Sequence, residues 1–292
     1  MTTSIQTDAL LATFADLAYK DPAFLKQAAN LPTGWTHVAT ELQGPFAAFA
    51  FQHTDGRVII TYRGTDGVSD FIADANITLG TWGTQFTQGL SFVQTVANLP
   101  GVNINNILVT GHSLGGALAQ VVSYAYGLSG STIDPAAGKA LLATDGFEQT
   151  VTGLGLDRSK FGTGTMTNWA VSGSGVSGAS GDHIGTMQYV PGLEFSGWAL
   201  LKGFALTVLN PAVGIGGLIV GDQFANKHSA EQTAQAVNML ATAASGQGTF
   251  LDGVVNLIPK QEIVTDPYSG QQSIRYLPGE FLIKDAGGAV LG

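Results

Sequence analysis

Cysteine is absent from the 292 residues. That excludes a disulfide framework, a thiol nucleophile and a thiolate metal site. Charge is scarce as well. Charged residues make up 11% of the chain, 21 Asp and Glu against 12 Lys and Arg, and the formal net charge is −9. With no basic run, nucleic acid is excluded as a partner class. An anionic membrane surface repels such a chain on average. A basic leader is missing too: the first positive side chain is Lys20. Asp8 precedes the mostly apolar stretch 9–19 and Asp16 interrupts it, which reads as an amphipathic helix and not as a signal peptide. There is no His-Glu-x-x-His and no tandem calcium repeat, so no metal site and no cofactor are expected. One long uncharged segment, 203–221, has the length of a membrane span. Asn210, Pro211 and five glycines break it as a helix.

What is present is apolar residue and glycine. The chain is 45% hydrophobic and carries 40 glycines, enough for a sizeable core. Residues 5–19 and 22–29 read as helices, and 35–42 and 46–53 as strands. Asp55-Gly56 is a hairpin signal leading into a buried strand at 57–62. A short helix is expected at 69–76, a longer one at 85–97 and a strand at 106–110. Residues 127–137 read as a Ser/Gly loop, 137–151 as a helix and 167–171 as a strand. A glycine- and serine-rich segment, 172–181, follows. Residues 230–244 read as a helix and 263–283 as short strands. Strands alternating with helices predict an α/β fold, a mostly parallel central sheet with helices on both faces.

The most informative stretch is Gly111-His112-Ser113-Leu114-Gly115. An apolar, β-branched strand enters it and an Ala/Leu/Val-rich helix, 114–126, leaves it. That is the context of a nucleophile elbow. Ser113 is expected at the tip of a tight, strained turn. Gly111 and Gly115 are expected to be small because neighbouring backbone leaves no room for a side chain. The helix behind points its N-terminal N–H groups at the place where negative charge develops in acyl transfer.

A serine hydroxyl needs a base, and the base needs an orienting acid. In this arrangement the three follow the order serine, acid, histidine. His37 and His53 precede the elbow and His112 is locked inside it. His183 leaves little room for a preceding acid. His228, at a loop-to-helix junction, is the expected base. Between it and Ser113 stand Asp134, Asp145, Asp157, Asp182 and Asp222. Asp182 follows the strand at 167–171 through the glycine-rich segment and is the expected acid, with Asp222 as runner-up. Asp134 reads as a helix N-cap before Pro135. The oxyanion donors are expected to be the N–H of Leu114 and, after the strand at 57–62, the N–H and hydroxyl of Thr65. An ordinary strand exit explains Thr65 equally well from these residues alone.

Tyr62-Arg63-Gly64-Thr65, then Asp70-Phe71-Ile72-Ala73-Asp74, then Val109-Thr110-Gly111-His112-Ser113-Leu114-Gly115-Gly116 resemble the class 3, fungal-type triacylglycerol lipase family. The likeness is good over about 35–125 and looser through Asp182 and His228. Phe71 stands where that family commonly has tryptophan, and the acid stands in Gly181-Asp182-His183-Ile184-Gly185 where Asp-Pro-Val is commoner. The resemblance implies an α/β-hydrolase fold over 1–292, with a β-rich C-terminal extension at about 260–292. It implies a carboxylic-ester hydrolase working through Ser113, His228 and Asp182, with Thr65 and Leu114 as the oxyanion hole and no cofactor. The expected partner is an ester or lipid substrate, with transient contact at a lipid interface. The missing disulfides favour a bacterial source, and a secreted setting is expected. Phospholipase A or polyester hydrolase activity is a variant of this reading. A non-catalytic lipid-binding domain on the same scaffold is the alternative. The apolar stretch 195–221 is open to two readings, buried core or a flap over the site.

Overall fold

The computed structural model describes residues 4–64, 81–171, 181–190, 229–244, 256–265 and 272–284. The expected helix at 69–76, residues 172–180 of the glycine-rich segment, and the apolar stretch 195–221 lie outside them. The chain divides into two compact units, one of Met1–Pro191 with Ile215–Asn238 and one of Gly192–Gly214 with Met239–Gly292.

The first unit opens with helix Ile5–Leu17. Ser4 caps it, its hydroxyl accepting the Thr7 N–H at 3.2 Å, and Asp8 stands in the first turn where the helix dipole favours negative charge. Asp8 also accepts the Trp169 indole N–H at 3.1 Å, which ties the helix to the sheet. The sheet has seven strands in chain order: β1 (Trp35–Gln43), β2 (Phe46–His53), β3 (Val58–Tyr62), β4 (Ile107–Gly111), β5 (Ser129–Ile133), β6 (Met166–Val171) and β7 (Thr186–Val190). β1 to β3 form an antiparallel meander, and β3 to β7 run parallel. The fold is thus α/β with a mostly parallel sheet.

β2 and β3 read as near-continuous apolar runs because both their faces are covered. Phe46, Ala48, Ala50, Val58, Ile60 and Tyr62 join the core formed with helix Thr84–Ala97 and the elbow helix Leu114–Tyr126. Ala47, Phe49, Phe51 and Ile59 alternate to the other side, against Leu11, Phe14 and Leu17. There Phe14 meets Trp35 at 5.0 Å and Phe51 at 4.8 Å between ring centroids. Burying each such side chain contributes roughly 1.5–3 kcal/mol.

Several segments differ from the sequence expectation, among them 22–29, where the helix is only Pro22–Leu25 and a 3-10 turn follows at Ala28–Asn30. Residues 129–133 are a buried strand, not a loop. Ser-Gly-Ser-Thr-Ile lacks an apolar run, but two of its three hydroxyls are bonded in place: Thr132 donates to Asn168 Oδ1 at 2.7 Å and Ser129 accepts from Thr165. Gly130 is small because a Cβ there would collide with the Val109 carbonyl of the next strand. The helix expected at 137–151 is a 3-10 turn, Lys139–Ala143, followed by helix Asp145–Gly153, which Thr144 caps by accepting the Phe147 N–H. β7 was not anticipated. Helix Ala230–Ala244 has the expected bounds. In the second unit, β8 (Asn256–Thr265) and β9 (Gln272–Lys284) pair antiparallel, longer than the short strands expected. Their register shifts between Pro259 and Gln261, where proline supplies no N–H.

Register decides where chemistry can occur. Tyr62 pairs with Gly111 and His112 bridges to Ile133. The carboxyl ends of β3, β4 and β5 therefore meet at one edge, the edge where ligands bind in open parallel sheets.

Candidate active site

The chain leaves β4 at Gly111 and reverses within two residues. Ser113 has φ 58° and ψ −127° and is 3% exposed. For a residue with a Cβ this is a sparsely populated conformation costing on the order of 1–3 kcal/mol, and such outliers gather at functional sites. Its backbone is held by three donors: the N–H groups of Gly116 (2.9 Å), Ala117 (3.3 Å) and Ala136 (3.0 Å) all point to the Ser113 carbonyl. Leu114 opens the helix, so its N–H is among those with no intrahelical acceptor.

Four glycines make the approach possible. A Cβ on Gly111 would strike the Gly115 carbonyl, and one on Gly116 would lie 2.6 Å from Pro135 Cβ. A Cβ on Gly64 would stand 2.7 Å from the His112 carbonyl oxygen and 3.0 Å from Ser113 Cβ. On Gly115 it would enter the Tyr62 carbonyl and come within 2.9 Å of the Arg63 carbonyl carbon. All the atoms in that last contact are main chain, so no rotamer change relieves it. Gly115→Ala is therefore expected to cost about 1–3 kcal/mol, and to cut ester turnover as well by displacing Arg63 and Gly64. Thermal melting and ester turnover check this together, and an unchanged melting temperature would show that the elbow is looser than described.

One side chain ties β3's exit to the elbow from outside the sheet. The Tyr19 hydroxyl lies 2.7 Å from His112 Nδ1 and accepts the Gly64 N–H at 3.1 Å. Nothing in the sequence singled Tyr19 out, because its partners lie 45 and 93 residues away. The His112 imidazole is thus engaged with Tyr19. Thr65 lies outside the described residues, immediately after the held Gly64.

The acids fall in different surroundings. Asp182 has a side chain 81% exposed. It pairs with Lys139 Nζ at 3.3 Å, and its carbonyl accepts the Lys139 N–H at 3.2 Å. Its loop is docked on the elbow helix by the buried Gln120, which donates to the Ala136 carbonyl (2.9 Å) and accepts the Ile184 N–H (2.8 Å). His183 Nδ1 stands 3.3 Å from Gln120 Nε2. Asp145 sits in the first turn of its helix, and Asp157 caps a 3-10 turn through the Ser159 N–H. Asp222 lies outside the described residues.

Asp134 is not a helix cap, since no helix begins at Pro135. It follows β5 directly, is fully buried, and has φ 39°. Its carboxylate accepts a short hydrogen bond from the Thr233 hydroxyl. Had 129–133 been read as a strand, an acid at its carboxyl end beside the elbow would have stood out. His228 lies outside the described residues; Ser229, which follows it, is described, and its carbonyl accepts the Thr233 hydroxyl and N–H, each at 3.1 Å. Among the described residues no group of three His, Asp or Glu side chains is arranged to hold a metal ion. No described helix is long and apolar enough to cross a membrane.

Residues 10–188, which take in most of the first helix, strands β1 to β6, the elbow, the Asp182 loop and the start of β7, match the model of the Tle-like phospholipase domain. The chain belongs to the Tle-like phospholipase domain family. Among solved structures, the domain is similar to carboxyl esterase 2 of the fungus Tuber melanosporum, at 15% identity over 77% of this chain and 99% of that one, with a TM-score of 0.30. It is also similar to acetyl xylan esterase 1 of Thermoanaerobacterium (11% identity, 70% and 99% coverage, TM-score 0.29) and to an esterase of Pyrobaculum calidifontis (14%, 82% and 93%, 0.30). No curated protein matches. Membership makes this Tle-like domain a hydrolase of the lipid and ester kind, and a phospholipase-like domain implies a lipid substrate.

Proposed function

We propose that the protein hydrolyses carboxylic ester bonds of phospholipids, in the manner of a phospholipase A, through a serine nucleophile and an acyl-enzyme. The observation that carries this reading is Ser113 itself, held in a strained conformation at the carboxyl end of β4 with a helix N-terminus behind it. The matching family points to phospholipid as the lipid. The motifs 62–65 and 109–116 support the finer likeness to class 3 lipases and make triacylglycerol the second substrate to test.

In the proposed reaction His228 takes the Ser113 proton as Oγ bonds to the acyl carbon. The Leu114 and Thr65 N–H groups hold the oxyanion. The ester C–O bond then breaks, and the proton passes from His228 to the leaving alcohol. Water, deprotonated by the same imidazole, releases the fatty acid and restores the Ser113 hydroxyl. A carboxylate that orients the imidazole completes the set.

A fluorophosphonate probe and a substrate panel test the reading. Ser113 is expected to be labelled, and fatty acid is expected from phosphatidylcholine vesicles faster than from vesicles rich in anionic lipid, because the net charge of −9 opposes the latter. An unlabelled Ser113 with intact vesicle binding would make this a lipid-binding domain. Release of a phosphorylated headgroup would place cleavage at a phosphate ester and overturn the carboxylic-ester reading.

A further inference from the structure

We infer that Asp134, in place of Asp182, is the positioning carboxylate that orients the imidazole base. The inference rests on the serine-hydrolase reading above and deepens it.

Place comes first. β5 is the immediate parallel neighbour of the elbow strand, and Asp134 is the first residue beyond its carboxyl end. The segment that follows it is built into the elbow: the Ala136 N–H bonds the Ser113 carbonyl, and Pro135 packs where Gly116 leaves room. Environment comes second. Asp134 is fully buried, whereas Asp182 is 81% exposed and beside a lysine. Buried charges are as a rule paired, and a carboxylate in a water-poor site holds a developing imidazolium far more strongly than one in solvent. Conformation comes third. Asp134 and Ser113 are the two non-glycine residues with positive φ among the described residues, on adjacent strand ends. Aspartate tolerates the left-handed region, but such outliers gather where function needs them.

The decisive link is Thr233. Its hydroxyl donates to Asp134 Oδ2, and both its hydroxyl and its N–H reach the Ser229 carbonyl. Asp134 thereby anchors the first turn of helix Ala230–Ala244. Ser229 is the residue directly after His228 in the chain. The carboxylate is thus one bridging side chain away from the residue next to the proposed base. In this role Asp134 accepts the imidazole Nδ1–H, leaves the Nε2 lone pair for the Ser113 proton, and stabilises the imidazolium without being protonated.

The test compares Asp134→Asn with Asp182→Ala in the full chain, using a soluble short-chain p-nitrophenyl ester over a range of pH. Asparagine keeps the size of Asp134 and still accepts from Thr233. Asp134→Asn is expected to lose on the order of 10⁴ in kcat. The acid limb of its kcat/KM profile is expected to move to lower pH, because an imidazolium without its carboxylate gives up its proton more readily. A merely structural role would not move that limb. Asp182→Ala, on the surface, is expected to stay within about threefold of the wild type, as surface changes usually do. If Asp134→Asn keeps a tenth of turnover, or loses activity with the limb unmoved, the inference fails. If Asp134→Asn does not fold, Asp182→Ala decides: near-normal turnover supports Asp134, and a loss of a hundredfold or more overturns it. Fluorophosphonate labelling of wild-type Ser113 separates the two levels. Labelled Ser113 with a dead Asp182→Ala refutes only the choice of acid, whereas unlabelled Ser113 refutes the hydrolase reading itself.

Discussion

Ser113→Ala is expected to remove ester hydrolysis by about 10⁴–10⁶ in kcat while leaving the protein folded, the scale on which triad losses fall. Alanine carries a Cβ, so it inherits the strain at φ 58° and ψ −127°. The three N–H groups on the residue 113 carbonyl do not depend on the side chain. Stability is therefore expected to change by less than about 1 kcal/mol. Ser113→Gly sharpens the test. Glycine reaches this conformation without the on the order of 1–3 kcal/mol of strain, against an entropic cost of roughly 0.5–1 kcal/mol. It is expected to be equally inactive and at least as stable. A glycine variant that melts higher and hydrolyses nothing would identify the strain as kept for catalysis. An alanine variant with a tenth of wild-type turnover and an unchanged circular dichroism spectrum would show that Ser113 is not the nucleophile.

The elbow was legible in the sequence because its glycines answer a steric demand. Gly111, Gly115 and Gly116 each face main chain or proline within a distance no Cβ tolerates, and that demand fixes their spacing in any such turn. The helices 84–97 and 230–244 and strands β1 to β4 were legible through their apolar pattern. β5 was not, because Ser129-Gly130-Ser131-Thr132 is a strand whose fit rests on a hydroxyl bond to Asn168 of β6, another to Thr165 just before it, and a missing side chain. That miss had a consequence at the site. With 129–133 taken as a loop, Asp134 read as a cap, and its position at a strand's carboxyl end was hidden. The Tyr19 bridge was hidden for a different reason, since no local pattern reports a hydrogen bond between residues 93 apart.

His228→Ala is expected to be as damaging as the serine change, because nucleophile and base act as one unit, and the double variant is expected to be no worse than either single one. The other four histidines are committed elsewhere in the structure. His53 pairs with Asp55 at 2.8 Å beside Arg57, at the amino end of β3, the end opposite the elbow. His37 stands opposite Phe51 and bonds Thr40 at 2.5 Å; burial, with Lys26 nearby, holds its pKa below the usual histidine value. His112 engages Tyr19 and His183 engages Gln120. A base must be neutral to accept the Ser113 proton, so the sign of the pH effect follows. As pH falls through roughly 6–7 the free-enzyme imidazole protonates and kcat/KM falls with it, approaching tenfold for each further unit. The His228→Ala variant is expected to lose that limb, leaving a residual rate that rises with hydroxide, and added imidazole is expected to restore part of the turnover. A wild-type profile flat from about pH 4 to 8 would contradict a histidine base at any position. A normal acid limb surviving in His228→Ala would move the role to one of the four histidines with visible partners. His183 would be first among them, because Gln120 holds it on the elbow helix and its exchange for alanine leaves the Gln120–Ile184 bond in place.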